Sequence, residues 1–221
     1  MLNTRGLRFR GIYRALFILP VVIPQIIVAT VWRNMFDTDA GAVNFLIQGV
    51  GGLFGLPADS PGFHLNWLRQ VNDPISFLPL PLAYFAMLIA NTWLGWPLNA
   101  VVATGALQSI PGELYEAAAI DGASPWQKFR NVTVTFLRPA MLPYAIYGFV
   151  VTFNLFFLPY FMTGGEPFGR TEILVTQAYR LAVDRQLLGV AAAFAVYLFF
   201  LLLVVTLITN RLAQATKSYA E

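Results

Sequence analysis

Apolar positions along this chain gather into four long blocks instead of the short periodic stripes of a soluble fold. A helix that crosses a bilayer needs roughly 20 mainly apolar residues. Stretches 13–32, 77–107, 140–161 and 187–209 meet that requirement. The second is longer than one crossing needs, so part of it tilts or lies at the interface. Pro20 and Pro24 interrupt the first block, and Pro143 and Pro159 the third. Helices broken at membrane depth line a cavity or pack against neighbours. Between the blocks, 33–76 is rich in Gly, Pro, Asn and Asp and predicts loops and short helices. Residues 162–186 open on the turn signal TGGEP and continue as TEILVTQAYRLAV, the pattern of a short amphipathic helix. The chain shows no internal repeat and no low-complexity tract. The pattern predicts an all-α integral membrane protein with one transmembrane domain over residues 1–221.

Composition supports that reading. Hydrophobic residues make up 57% of the 221 positions and charged residues 11%. An ordinary soluble domain carries about a quarter charged residues, so lipid must cover part of this surface. The absence of cysteine removes disulfides, thiol catalysis and thiolate metal sites. The single histidine, His64, lies in a polar loop and reads as a solvated side chain. Neither a catalytic set nor a metal-ligating cluster stands out.

The net charge of +3 and the pI near 9.3 raise the question of nucleic acid. The distribution argues against it: Arg5, Arg8, Arg10 and Arg14 cluster before the first block and no basic stripe follows. Such clusters flank spans on the cytoplasmic side. The first block is too long for a cleaved leader and lacks a small-residue cleavage site. With four spans, the N-terminus, 111–138 and the C-terminus share one side. That side holds nine of the 14 Lys and Arg residues (Arg5, Arg8, Arg10, Arg14, Lys128, Arg130, Arg138, Arg211 and Lys217). The other side holds the remaining five and most of the acids, which places the first set in the cytoplasm.

The polar stretch ELYEAAAIDGASPWQKFRNVT, 113–133, therefore faces the cytoplasm. Pro111 suits a first helical turn and Glu113 complements its dipole. Ala117, Ala118 and Ala119 favour helix. Gly122 fits a left-handed helix C-terminus. Ser124-Pro125-Trp126-Gln127 restarts a helix with a capping box. A helix this short is marginal in water, so its small face must pack on something. Either it enters a groove on another protein or it packs on this chain's own helix ends.

The run Glu116-Ala117-Ala118, then Asp121-Gly122-Ala123, then Phe129, resembles the EAA loop of membrane subunits of bacterial ABC importers. That loop docks into a cytoplasmic ATPase subunit and transmits its nucleotide-driven motion. ALFILPVVIPQIIVATVWRNMF, NTWLGWPLNAVVATGALQSIP, FNLFFLPYFMTGGEP and LGVAAAFAVYLF resemble the maltose-type sugar permeases across almost the whole chain. The resemblance implies a MetI-like helical bundle in the bacterial cytoplasmic (inner) membrane. The implied partners are an ATPase dimer carrying ATP and Mg, a second permease subunit in a heterodimer, and an extracytoplasmic sugar-binding protein. No cofactor is expected on this chain itself. Such permeases have six core spans, and the four here match the last four, so a truncated or unusually short permease is expected. Val134-Thr135 stands where the family loop ends in Leu-Pro.

Polar residues inside spans are costly and are candidates for function. Asn91, Thr92 and Asn99 lie in the second span beside Trp93 and Trp96, Thr152 and Asn154 in the third beside Phe153, Phe156 and Tyr160, and Gln25 in the first. Neutral amides beside aromatic faces suit a sugar, and neither of those two segments holds a carboxylate or lysine. The same residues also suit interhelical packing. The resemblance implies a substrate pathway through Asn91, Leu94, Gly95, Thr152 and Asn154, with Leu98 where the family has an aromatic. It also implies that Thr163, Gly164 and Gly165 meet the binding protein. A permease for amino acids or peptides, an inactive permease fragment, a secondary transporter and an integral membrane enzyme are the alternatives. The absence of G-x-x-x-x-G-K-[ST] means that ATP is hydrolysed elsewhere.

Overall fold

The computed structural model describes residues 10–57, 63–73 and 77–217. The arginine cluster at Arg5 and Arg8 lies outside them. Among the described residues the chain is helical, with no strand. The α-helices are α1 (Arg10–Val22), α2 (Gln25–Met35), α3 (Ala42–Leu53), α4 (Leu82–Gln108), α5 (Gly112–Ile120), α6 (Pro125–Lys128), α7 (Val134–Phe153), α8 (Leu174–Ala182) and α9 (Leu188–Lys217). Leu82–Gln108, Pro125–Phe153 and Leu188–Arg211 are each long and apolar enough to cross a membrane, and the broken pair α1–α2 brings the total to four if it counts as one span.

Proline explains where the helices depart from the apolar blocks. The first block is two helices, because Pro24 drives Ile23 out of the helical region and α1 ends at Val22. Pro20, expected to interrupt as well, sits inside α1. In the second block, Pro79 and Pro81 keep the residues before them out of the helical region, and α4 begins only at Leu82. The third block differs most. Its helix starts at Pro125, passes through a π-helical turn at Phe129–Thr133, and runs on to Phe153. The short second helix of the cytoplasmic loop and the third span are thus one continuous rod. Pro143, expected to break that span, lies within α7 together with Pro139. The break falls instead at residues 154–156. Pro159 has no N–H, and its ring would clash with the carbonyl of Leu155, so the helix stops one turn ahead of it. A second π-helical turn, Pro159–Thr163, follows.

By contacts the chain divides into two compact units. The first comprises Met1–Val21, Gly95–Phe153 and Phe199–Glu221, the second Val22–Leu94 and Asn154–Leu198. The first unit contains the loop from α5 to α6. Its helices carry large exposed apolar side chains, among them Val101, Phe149, Phe199, Phe200 and Leu207. Phe17 of α1 meets Trp96 of α4 edge-on at 4.6 Å. The second unit has the dense core: Ala29 and Phe36 from the α2 region, Ala86, Met87 and Ala90 from α4, and Leu158 and Met162 from the turn after the break. The alanines are fully buried, which lets backbones approach closely.

Candidate functional site

The cytoplasmic loop is built by its own sequence. α5 opens after Pro111, which stands at the N-cap, one place ahead of the first-turn position expected for it. It closes on Asp121, and Gly122 takes the left-handed conformation, φ +74°. The Gly122 N–H donates to the Ala119 carbonyl at 3.1 Å and the Ala123 N–H to the Ala118 carbonyl at 2.9 Å. That pair of bonds is a Schellman closure. Ser124 then caps α6: its Oγ accepts from the Gln127 N–H at 3.3 Å, while Gln127 Oε1 accepts from the Ser124 N–H at 2.7 Å. The loop thus turns from one helix into the next with its helix-end amides and carbonyls engaged. Tyr115 ties the two arms, its hydroxyl 2.8 Å from that of Thr133 in the π-helical turn.

None of this loop is buried. Glu116, Ala117 and Asp121 are exposed, and Ala118 and Ala123 are half-buried where the turn folds back. Phe129 is exposed and stacks on Trp126, ring centroids 5.5 Å apart and planes 30° apart. Ile120 is 87% exposed and Trp126 68%. Those two residues were missed from the sequence. Their apolar character beside the turn was the available signal. An exposed apolar patch on a water-facing loop is characteristic of an interaction surface.

The intramembrane candidates divide by what their side chains already do. Asn91, Leu94 and Gly95 fall within one turn and a half of α4, at spacings that share a face. Thr92 donates to the Leu88 carbonyl at 2.7 Å, and Asn99 to the Gly95 carbonyl at 3.0 Å. Both bonds occupy the polar group inside its own helix. The half-buried Asn91 amide has no hydrogen-bond partner among the described residues. Pro97 removes one N–H from the α4 ladder, the donor to the Trp93 carbonyl. Thr152 lies in the last turn of α7, and Asn154 is exposed in the break that follows. Leu98 is 41% exposed. Gln25 opens α2.

The TGGEP turn is a scaffold of short polar bonds. Thr163 is 7% exposed; its Oγ1 donates to the Pro159 carbonyl at 2.9 Å and accepts from Thr171 at 2.9 Å. Gly165 is buried as well, while Gly164 is exposed, and both have positive φ. Thr163 and Gly165 therefore build the turn from within, and Gly164, Glu166 and Phe168 are what it shows outward. Arg180 donates to the Gly164 carbonyl and pairs with Glu172 at 2.9 Å. Arg170 reaches back to the carbonyls of Val71 and Pro79, at 3.3 and 2.9 Å, and to Asp73 at 2.8 Å. A second tie lies at Asn44, whose Nδ2 donates to the Thr38 and Leu65 carbonyls and whose Oδ1 accepts from Trp67 Nε1 at 2.8 Å. Among the described residues no cluster of three or more His, Asp and Glu side chains could hold a metal ion.

Residues 2–218 match the family described as binding-protein-dependent transport system inner membrane component. The maltose/maltodextrin transport system permease protein MalF of Vibrio parahaemolyticus is 35% identical over 96% of this chain and 39% of its own length. GanP of Bacillus subtilis, a galactooligosaccharides transport system permease protein, is 33% identical over 100% of this chain and 49% of its own. The chain therefore spans less than half the length of these relatives. Among solved structures, a bacterial alginate ABC transporter in complex with an alginate pentasaccharide-bound periplasmic protein superposes with a TM-score of 0.77 at 19% identity, covering 97% of this chain and 68% of that one. A second structure, of a bacterial ABC transporter that imports alginate, gives 0.69 at 20% identity, covering 96% and 68%. These two likenesses establish the fold.

Proposed function

Because the chain belongs to the binding-protein-dependent transport system inner membrane component family, we propose that it is a permease subunit of an ATP-driven importer that carries a sugar or oligosaccharide across the cytoplasmic membrane. The observation that carries the reading is the self-capped loop from α5 to α6, which holds Ile120, Trp126 and Phe129 in water beside the turn at Gly122. A loop of such local rigidity, with an apolar tip and no buried side chain of its own, suits docking into a cytoplasmic ATPase. Glu116, Ala117, Ala118, Asp121, Gly122, Ala123 and Phe129 form that coupling element. The substrates that the relatives are named for, maltodextrin and galactooligosaccharide, support carbohydrate as cargo.

In this mechanism the partner ATPase dimer binds ATP and Mg and closes on nucleotide. α6 runs unbroken into α7, so movement of the loop is delivered to a transmembrane rod without an intervening hinge. Asn91, Leu94 and Gly95 on α4, Thr152 in the last turn of α7 and Asn154 in the break after it are the candidate contacts for the cargo. A second permease subunit, different from this one, completes the pathway. An extracytoplasmic binding protein delivers sugar to the outer turn at Gly164, which Thr163 and Gly165 support from inside.

A tagged copy purified from native membranes is expected to bring an ATPase and a second permease subunit with it. The reconstituted complex is expected to take up labelled maltotriose or galactobiose in an ATP-dependent manner and to leave amino acids outside. Purification without any ATPase would remove the docking role of the loop.

A further inference from the structure

We propose that Phe156, Tyr160 and Tyr179 form an aromatic platform that receives the apolar face of a sugar ring on the extracytoplasmic side of the break in the third span. The inference rests on the carbohydrate-permease reading and adds a contact to the amides already named. Three observations carry it.

The rings are assembled as a unit. Phe156 and Tyr160 stack with centroids 4.9 Å apart and planes 21° apart. Tyr179 of α8 meets Phe156 at 4.8 Å and Tyr160 at 5.1 Å, tilted by 52° and 72°. They also stand outside the core. In the same turn, Leu158 and Met162 are 2% and 1% exposed and fill the interior of the second unit, whereas Phe156 and Tyr160 are half-buried and Tyr179 is 37% exposed. Phe157 and Phe161 meet the Phe156 ring edge-on at 5.6 and 6.5 Å, and Phe161 meets Tyr160 at 5.1 Å. On α8, Arg180, next to Tyr179, is fixed by Glu172 and by the Gly164 carbonyl. The platform is pre-organised, which lowers the ordering cost of binding.

The place also requires water or protein beside it. Residues 154–156 are non-helical within an apolar segment, and Asn154 there is exposed. Backbone of that kind is tolerated at membrane depth only where it is buried in protein or lines an aqueous cavity. Two phenols and a phenyl ring beside an exposed amide offer both halves of sugar recognition, a flat apolar face and polar rims. The competing role for tyrosines at this level is to anchor the span at the lipid interface.

The test uses the purified complex with its partner subunits and binding protein in proteoliposomes, with labelled maltotriose and galactobiose as probes. Tyr179→Leu and Tyr160→Leu remove a ring and keep apolar bulk; Tyr179→Phe and Tyr160→Phe keep the ring. The leucine variants are expected to raise the transport KM about three- to tenfold, while the phenylalanine variants stay within about twofold of wild type. Leucine variants with wild-type KM overturn the platform. So does a loss confined to kcat and thermal stability, which assigns the rings to packing or lipid anchoring. So does an equal loss in the phenylalanine variants, which assigns the effect to the hydroxyls. A wild-type complex that hydrolyses ATP and moves neither sugar refutes the carbohydrate reading itself, a failure distinct from the other three.

Discussion

At the cytoplasmic loop, the bonds that shape the turn at Gly122 and the cap at Ser124 join residues three to five positions apart. At the outer cap of the second unit, Asn44 bonds to groups 21 and 23 residues away, and Arg170 to carbonyls 91 and 99 residues away. The loop buries nothing and the cap encloses Asn44 at 2% exposure. A loop ordered by neighbours in sequence, and beyond them by the Tyr115–Thr133 contact between its own arms, can move as a piece without unfolding. A cap ordered by distant segments cannot move without breaking its ties. One end is suited to transmitting displacement and the other to holding a fixed face.

If that contrast is correct, the largest effect on coupling belongs to Gly122→Val. A Cβ there meets nothing within 4 Å, so the entire cost lies in the backbone at φ +74°. Left-handed geometry costs an ordinary residue about 1–2 kcal/mol, and a β-branched one sits there least easily. The loop is expected to rearrange, and sugar moved per ATP to fall about tenfold, with the thermal midpoint of the second unit unchanged. Gly122→Asn should fall between, since asparagine tolerates this region. Undiminished coupling in the valine variant would mean that the turn transmits nothing.

Asn44→Ala attacks the other side of the comparison. It strips partners from the Trp67 indole N–H and from the Thr38 and Leu65 carbonyls. Each buried group left unsatisfied costs about 1–3 kcal/mol, and solvent reaching part of the site reduces the sum. A total near 2–3 kcal/mol is expected, read as a lower thermal midpoint of the detergent-solubilised protein, with the loop amides at Gly122 and Ala123 as protected from exchange as before. An unchanged midpoint would show that the cap does not depend on its long-range ties.

Ser124→Ala is the smaller, local counterpart. Losing the cap costs about 1 kcal/mol, and faster exchange of the Gln127 amide is the expected signature. If instead the whole protein lost stability as in Asn44→Ala, the loop would not be an independent unit.

The same contrast explains what could be read from the amino-acid order. Gly122, the Ser124–Gln127 box and the amphipathic α8 were legible because a few adjacent residues determine them. The four long apolar blocks were legible because lipid imposes them, but the helix of the third starts at Pro125 and the first is bent into two. Asn44 and Arg170 were not, since their partners come from segments that only the fold brings together. Proline gave mixed signals: Pro24 and Pro159 stop helices, whereas Pro20, Pro139 and Pro143 sit inside them. Nor did the residues of TGGEP announce that Thr163 and Gly165 face inward, because burial there depends on Thr171 and on the Glu172–Arg180 pair. The candidate route through Asn91 and Asn154 was visible as amides in apolar runs. That Thr92 and Asn99 satisfy themselves within α4 required the backbone.

The finest probe of the comparison is pH. The turn between α2 and α3 at the outer cap is held by Asp37, whose Oδ1 accepts from the Ala40 N–H at 2.9 Å and the Asp39 N–H at 3.0 Å. Those two donors, Ala40 foremost, hold its carboxyl below the usual range. A depressed carboxylate pKa stabilises the fold above its unfolded value of about 3.9, and that contribution is lost as pH falls through the lower folded value. Between neutrality and about pH 5 nothing should change. Below about pH 4 the Ala40 amide should lose protection after correction for intrinsic exchange. Asp37 is fully exposed, so the effect stays local to the turn. The Gly122 and Ala123 amides are bonded to carbonyls, which do not titrate, and their protection should stay flat over the same range. In Asp37→Asn the side-chain acceptor remains but cannot be protonated, so the Ala40 amide should become as pH-insensitive as the loop. A wild-type Ala40 amide with protection as flat as in Asp37→Asn throughout the acid range would show that the turn is held by the rest of the cap and not by its carboxylate.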